Sequence, residues 1–238
     1  MASWRTSGVR HTGSMCLRSY HADVPSVCLM VVSMDTARSR RVEYSETTRR
    51  ALVDSAVELF TERGYAGTSL DEIARAARVT KGALYHHFGG KQALFEAAFE
   101  EVERRVTERI SSMIADAGDP WTRMLAGLSG FLEVCLEPSY QRIVVQQGPA
   151  VMGWECWREA EERSTYGMVR LVVGQLIEQG EIEPLPLEAL TRVVYGAMSA
   201  GATTIAGSPE PRTTSEEVGR CMERVMAGLR TSGTAAAG

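Results

Sequence analysis

The stretch VTKGALYHHF, residues 79–88, concentrates donors and acceptors at helical spacing. Thr80 has the type of a helix N-cap, Lys81 is a long cationic donor, and Tyr85 brings a hydroxyl one turn later on the same face. His86 and His87 are adjacent, so their imidazoles leave the helix about 100° apart. Gly82, in the first turn, costs a helix roughly 1 kcal/mol relative to alanine, so burial alone does not account for it. Together these types suit the reading of DNA. A lysine can donate to guanine O6 and N7, a tyrosine hydroxyl can reach a phosphate, and a missing side chain lets backbone close on base edges. Each residue also has a plainer role: Thr80 as a pure cap, Lys81 as a solvated lysine, Tyr85 as a core residue with a hydroxyl to satisfy. A metal site on the histidines is disfavoured, because helix neighbours diverge and no nearby Cys or His completes a ligand set.

Short helices must position these groups. The spacing predicts a first helix of about 16 residues from Thr48, with Leu52, Ala56, Leu59 and Phe60 on one face and Gly64 as its left-handed C-cap. Ser69-x-x-Glu72 has the spacing of a capping box, and Thr68-x-x-Asp71 is a near variant. A short helix follows, and a tight connection, Arg78 to Thr80, leads to a second one over Lys81 to Phe88. Two short helices joined so tightly must cross steeply, which is helix-turn-helix geometry. Ile73, Ala77, Val79, Leu84 and Phe88 supply the small core.

The segment TRRALVDSAVELFTERGYAGTSLDEIARAARVTKGALYHHFGGKQALF, Thr48 to Phe95, resembles the DNA-binding domain of the TetR family of transcriptional regulators. It keeps G-Y-x-x-T-S, I-A-x-x-A-x-V and G-x-x-Y-x-H-F-x-x-K-x-x-L. The resemblance implies that Lys91 holds the DNA backbone and that His87 is the motif histidine, while His86 occupies a variable position. Thr68, Ser69, Thr80, Lys81, Gly82, Tyr85, His86, His87 and Lys91 are therefore the expected DNA-contacting set, with Arg49 as a further donor; capping competes for Thr68 and Ser69. The family also implies a helical C-terminal domain that dimerises through its last two helices and encloses a small-molecule pocket.

The remainder of the chain has helical period throughout. A long stripe runs from Leu94 to Ala117, Asp119-Pro120 reads as an N-cap with a first-turn proline, and a second stripe runs from Trp157 to Leu176. Leu187 to Ile205 is rich in Gly and Ala, and a stripe from Val218 to Leu229 follows, capped at Thr214-x-x-Glu217. These last two helices fit a dimer interface, although a buried intramolecular pair gives the same pattern. Phe131, Gln146, Gln147, Trp154, Trp157, Tyr166, Met168 and Tyr195 are the expected lining of an apolar ligand pocket; an aromatic-rich core is the competing explanation. The acidic run REAEER, residues 158 to 163, reads as a solvated helix face.

Composition bounds these readings. A chain of 238 residues, 44% hydrophobic and 24% charged, can bury a real core. Five dispersed cysteines without a C-x-x-C pair fit neither a zinc ribbon nor a secreted disulfide framework and suit a reducing cytoplasm. Net charge is −4, yet residues 35–92 hold ten Lys/Arg against eight Asp/Glu, whereas residues 93–238 hold thirteen against twenty-one. The acidic total thus does not exclude nucleic acid as a partner. Residues 1–43 lack a sustained period and read as a disordered extension; Met34 is a candidate true start, and a genuine arm is the alternative.

The expectation is an all-α chain: a helix-turn-helix DNA-binding domain over 44–92, a helical ligand-binding and dimerisation domain over 93–231, and a flexible tail over 232–238. The function expected is a homodimeric cytoplasmic repressor released from a palindromic operator by a small molecule, with no cofactor, metal or membrane partner. A helical ligand-binding dimer that no longer reads DNA is the first rival. A hydrolase or metalloenzyme using His86, His87 or the cysteines is the second.

Overall fold

The computed structural model describes the backbone of residues 27–231 and the side chains of residues 42–231. The chain divides into two compact units, residues 1–44 and 45–238, and the second holds the candidate site and the cavities. The expected tail, residues 232–238, and residues 1–26 of the expected extension lie outside the described residues. Helix α1 spans Val27–Arg63, so it starts well before Thr48, and residues 27–43 are helical where an unstructured arm was expected. Thr48 marks only where the apolar period begins. The preceding ARSRRVEYSE contains neither Gly nor Pro and is rich in Arg and Glu, good helix formers that leave no buried stripe to read.

The head is built from the C-terminal part of α1 together with α2 (Leu70–Ala76), α3 (Lys81–His87) and the start of α4 (Lys91–Ala115). Leu52, Ala56, Phe60, Ile73, Leu84, Leu94 and Phe95 are fully buried together. The rings of Phe60, Tyr65 and Phe95 pack against one another at 5.2 to 5.8 Å between centroids. Gly64 ends α1 at φ 73°, and a Cβ there would lie 2.9 Å from the Gln147 amide nitrogen. The left-handed backbone is what favours glycine at this turn, and an added Cβ would also displace the end of the Gln147 side chain.

The capping box forms as its spacing implies, with the Glu72 N–H donating to Ser69 Oγ and the Ser69 N–H donating to the Glu72 carboxylate. At its other end α2 closes in a Schellman motif: the Val79 N–H donates to Ala74 O at 3.0 Å and the Arg78 N–H to Arg75 O at 3.1 Å. Arg78 is the left-handed residue of that motif, at φ 56°, a position that glycine usually takes. This turn sets the steep crossing of α2 and α3.

The regulatory part continues with α5 (Pro120–Val134), a π-helix (Tyr140–Gln147), α6 (Gly148–Met152), α7 (Trp154–Arg163), α8 (Thr165–Glu178), α9 (Leu187–Gly207) and α10 (Pro211–Ala227). Asp119 caps α5 as expected, accepting the Thr122 N–H at 3.0 Å. The single stripe expected from Trp157 to Leu176 is two helices, broken at Ser164, whose φ is −112° and ψ −103°. The break lets the Ser164 hydroxyl donate to Glu103 on α4 at 2.6 Å, a long-range bond that no local pattern announces. Helix α10 starts at Pro211, before the expected Thr214 cap, because proline at the first position is pre-set for a helix start; Thr214 instead bonds Ser208. Among the described residues there is no strand beyond an isolated Ile182–Arg230 bridge, and no helix is long and apolar enough to cross a membrane.

Two substitutions test the turn chemistry. Gly64→Ala is expected to lower stability by about 1–2 kcal/mol, and Arg78→Gly to leave it unchanged or raise it by up to about 1 kcal/mol. Urea denaturation of both variants checks this; equal effects of the same sign would contradict the assignment of Arg78 to a strained left-handed position.

Candidate functional site

Helix α3 presents Lys81, Gly82, Tyr85 and His86 to solvent, while Leu84 alone of its residues is buried. Thr80 caps it, its Oγ1 accepting the Ala83 N–H at 3.2 Å. Lys81 is held 2.8 Å from Asp71 on α2, an exposed ion pair of little intrinsic worth that a phosphate or a guanine edge can displace. A Cβ at Gly82 would meet nothing closer than the Thr80 hydroxyl at 3.9 Å, and its φ is unremarkable. The fold thus has no internal need for glycine here, and the missing side chain is explained only by something that approaches from outside.

The other expected contacts divide. Ser69 remains exposed at the start of α2 but its hydroxyl donates to Glu72 at 2.7 Å. Thr68 is buried, and its hydroxyl donates to the carbonyls of Leu59 and Gly64, which fastens α1 to the following turn and leaves the side chain turned away from the exposed face expected to meet DNA. Lys91 lies over the Tyr65 ring, with Nζ 4.3 Å from the centroid, at the N-terminus of α4. The His86 and His87 rings stand 5.5 Å apart at 72°. Burial first, then His86 and Arg49, lower the His87 pKa from the usual histidine value and so favour the neutral ring. Among the described residues no group of three His, Cys, Asp or Glu could hold a metal.

Two neighbouring cavities lie in the regulatory part. One, about 70 Å³, is apolar and has Met124, Met168, Met198, Met222 and Met226 in its wall. The other, about 120 Å³, is lined by Tyr140, Val144, Trp157, Glu161 and Tyr195 among others. Phe131, Thr165 and Met198 line both. Of the expected pocket residues, Phe131, Trp157, Met168 and Tyr195 therefore line these spaces. Trp154 is exposed and stacks on Trp157 at 5.1 Å, and Tyr166 packs edge-on against Tyr195 at 5.4 Å.

The glutamines act elsewhere. Gln146 donates to Ala206 O at 3.3 Å, while Gln147 Oε1 accepts the Tyr65 N–H at 2.8 Å. Gln147 ends the π-helix whose Tyr140, Val144 and Val145 line the second cavity, so one element touches both cavity and head. This link escaped sequence reasoning because partners 82 positions apart leave no periodic trace.

A second correction concerns charge. The run at 158–163 is not wholly a solvated face: Glu161 is only 6% exposed, and Glu103 on α4 only 4%. Glu103 Oε2 accepts from Ser164 and Thr165, Glu161 accepts from the Tyr195 hydroxyl, and no cation pairs with either among the described residues. Burial, then the neighbouring Glu103, pushes the Glu161 pKa up to about 8; burial raises that of Glu103 as well. A position four after Phe99 and three before Val106 placed Glu103 on the buried stripe of α4, a signal that was readable.

Comparison with known proteins bears on the same two regions. Residues 52–98 match the family description "Bacterial regulatory proteins, tetR family", and residues 121–229 match "Tetracyclin repressor-like, C-terminal domain". The chain is similar to a solved TetR-family transcriptional regulator from Pectobacterium atrosepticum, with 31% identity, 80% of this chain and 97% of that one covered, and a TM-score of 0.71. It is 27% identical over 159 residues to the Tn10 TetC protein of Escherichia coli, covering 67% of this chain and 80% of that protein. It is also 35% identical over 111 residues to the HTH-type transcriptional regulator AcrR of Shigella flexneri, covering 46% of this chain and 51% of AcrR.

Two outcomes follow from the geometry. Gly82→Ala is expected to raise folding stability by about 0.5–1 kcal/mol while weakening binding to specific DNA by about tenfold or more; a variant that binds as well as the parent would remove the steric argument. For Glu161, a folded pKa above its ordinary 4.5 means the stability it contributes is complete below about pH 4.5 and lost as pH rises toward 8. The melting temperature should therefore decline across that window, and Glu161→Gln should flatten the decline.

Proposed function

The chain belongs to the TetR family of bacterial regulatory proteins, and from that premise we propose that this DNA-binding regulator is a homodimeric cytoplasmic repressor released from a palindromic operator by a small molecule. The observation that carries the reading is the exposed face of α3, where Lys81 and Tyr85 flank a glycine the fold does not itself need. In a helix-turn-helix the second helix enters the major groove N-terminus first, which brings these residues to base edges. Ser69 and Lys91 stand at the starts of α2 and α4, where exposed N–H groups favour phosphate. The reading assigns the chain no reaction of its own.

Dimerisation through α9 and α10 is supported by what those helices leave uncovered. Val193 is 68% exposed and Val225 61%, and on α9 Gly196, Ala197 and Ala200 continue the exposed face of Val193. Val193 and Ala197, grouped by their spacing with the buried Leu190 and Met198, thus face outward. Small and apolar residues on an exposed face permit close backbone approach by a second copy. A dimer also supplies the two reading helices that successive major grooves, about 34 Å apart, require.

The cavities are the proposed effector site, and the π-helix is the proposed connection to the head. A ligand that moves Tyr140 or Val144 bears on Gln147, hence on Tyr65 and on the Lys91 stacked over its ring. Only a difference in ligand affinity between the two head orientations can shift their populations.

Mobility-shift assays on the DNA upstream of its own coding region test the reading. Binding should fall steeply with salt, and Lys81→Ala or Tyr85→Ala should weaken it by about tenfold or more. Ala197→Arg should sediment as a monomer and lose operator affinity by about 100-fold. Absence of any salt-sensitive preference for a palindrome would sink the DNA-reading assignment, and an intact Ala197→Arg dimer would sink the interface.

A further inference from the structure

We propose that the effector is a small organic cation, an amine with a compact apolar body, whose ammonium group sits against Glu161, with Glu103 behind it, and whose body occupies the methionine-lined cavity. The inference rests on the ligand-responsive reading above and specifies the chemistry of its site.

The argument begins with two carboxyl groups in a place that ordinarily excludes them. Buried charges in proteins are paired or neutralised. Glu161 lines the second cavity, and its one recorded partner is the Tyr195 hydroxyl, a neutral donor. Glu103 stands behind it, with Oε2 held by Ser164 and Thr165 and Oε1 buried without any partner. The remaining groups that face the pair are neutral: Tyr140 from the π-helix, Tyr195 from α9, Thr165 from α8 and Trp157 from α7. Cations are close in sequence but engaged or outside. Arg158 and Arg192 turn to Glu162, and Arg104 turns to Glu101 and Glu108. Arg163 is exposed on an open groove of about 330 Å³ that reaches Glu103 from the solvent side.

Burial raises the pKa of both carboxyl groups and so favours their neutral forms. A cation entering the cavity would reverse that balance. It would find the Glu161 carboxylate, with Glu103 behind it, and the rings of Trp157, Tyr195, Tyr140 and Phe131, whose electron-rich faces favour an ammonium group over a neutral one. An anion would meet the opposite field. Size and shape follow from the neighbouring cavity. Phe131, Thr165 and Met198 wall both spaces, so a shift of these side chains would join the site at Glu161 to a chamber of Met124, Met168, Met222 and Met226. Flexible thioether side chains there adapt to an apolar ring or short chain. The buried Trp157 Nε1–H lacks a partner and offers one donor to an oxygen on the same ligand.

The binding step is an exchange of a proton for a cation: Glu161 releases its proton to solvent as the ammonium arrives. Affinity should then rise about tenfold per pH unit below about pH 8 and level off above it, since an alkylamine itself stays protonated through this range.

Isothermal titration calorimetry on the full-length protein, with phenylbutylamine, phenylbutanol and phenylbutyrate from about pH 6 to about pH 9, tests the proposal. The amine is expected to bind about tenfold or more tighter than the alcohol above pH 8, with the pH slope just described, and the carboxylate not to bind. Glu161→Gln, which replaces a largely neutral acid by a neutral isostere, should keep the fold and the alcohol affinity but abolish both the preference and the slope. Tyr195→Phe removes a donor that lowers the Glu161 pKa, so the slope should persist to higher pH. Equal binding of amine and alcohol, amine binding indifferent to Glu161→Gln, or no amine binding would each overturn the proposal. Mobility shifts with upstream DNA, run alongside, separate the premises. Operator release by the alcohol or the carboxylate in place of the amine preserves ligand-responsive repression and rejects the cation. Amine binding without any operator recognition upholds the cation and rejects repression.

Discussion

One helix has to satisfy two cores at once. Helix α4 buries Leu94, Phe95 and Ala98 in the head and Val102, Val106 and Ile110 in the regulatory part, with Glu103 between the apolar turns. Close-packed interiors resist continuous deformation, so rotation of α4 at one end must be accommodated at the other. The Tyr65–Gln147 hydrogen bond adds a second tie, from the π-helix to the turn after α1. Position 64 favours glycine for its left-handed backbone, and that turn lies against the Gln147 amide. The head is consequently an extension of the regulatory domain's packing, which is the condition under which a change in a cavity can reorient α3.

The features legible in the sequence were local ones. Ser69 with Glu72, Asp119 with Pro120, and Gly64 after ERG each place cap and partner within a few residues, so pattern and physics coincide. The helix-turn-helix followed from them. The features that escaped were set by distant partners. Ser164 breaks a stripe that reads as continuous, and its hydroxyl bonds Glu103, 61 positions away. Gln147 looked like a pocket residue because an amide near aromatics suits a ligand, but it serves the Tyr65 backbone. Glu161 was hidden within an acidic run whose other members are solvated, since composition alone cannot say which carboxylate of such a run turns inward.

The regulatory core departs from what stability alone would select. Replacing buried carboxyl groups by apolar residues of similar volume is often neutral or stabilising, and small voids lined by methionine forfeit packing contacts. The π-helix over Tyr140–Gln147 adds a geometry found mostly at functional sites. These departures meet in one region, around Phe131, Tyr140, Glu161 and Met198, while the head core of Phe60, Ile73, Leu84 and Phe95 buries no carboxyl group. Optimised packing in the head and relaxed packing around the cavity fit a division between a rigid reader and an adaptable sensor.

Departure from a local rule does not by itself mark function, and Arg78 shows why. Its left-handed backbone breaks a preference as clearly as Gly82 does, yet the Schellman bonds of Val79 and Arg78 account for it within the fold. Gly82 has no such account, because an added methyl group there would meet open space. Glu103 likewise keeps an oxygen that nothing among the described residues satisfies. What separates these exceptions from the structural one is therefore a missing partner, at the surface for Gly82 and behind the cavity wall for Glu103. In both places the surroundings indicate what suits them: a groove edge that tolerates no side chain and, beside Glu161, a cation small enough to lie among aromatic rings.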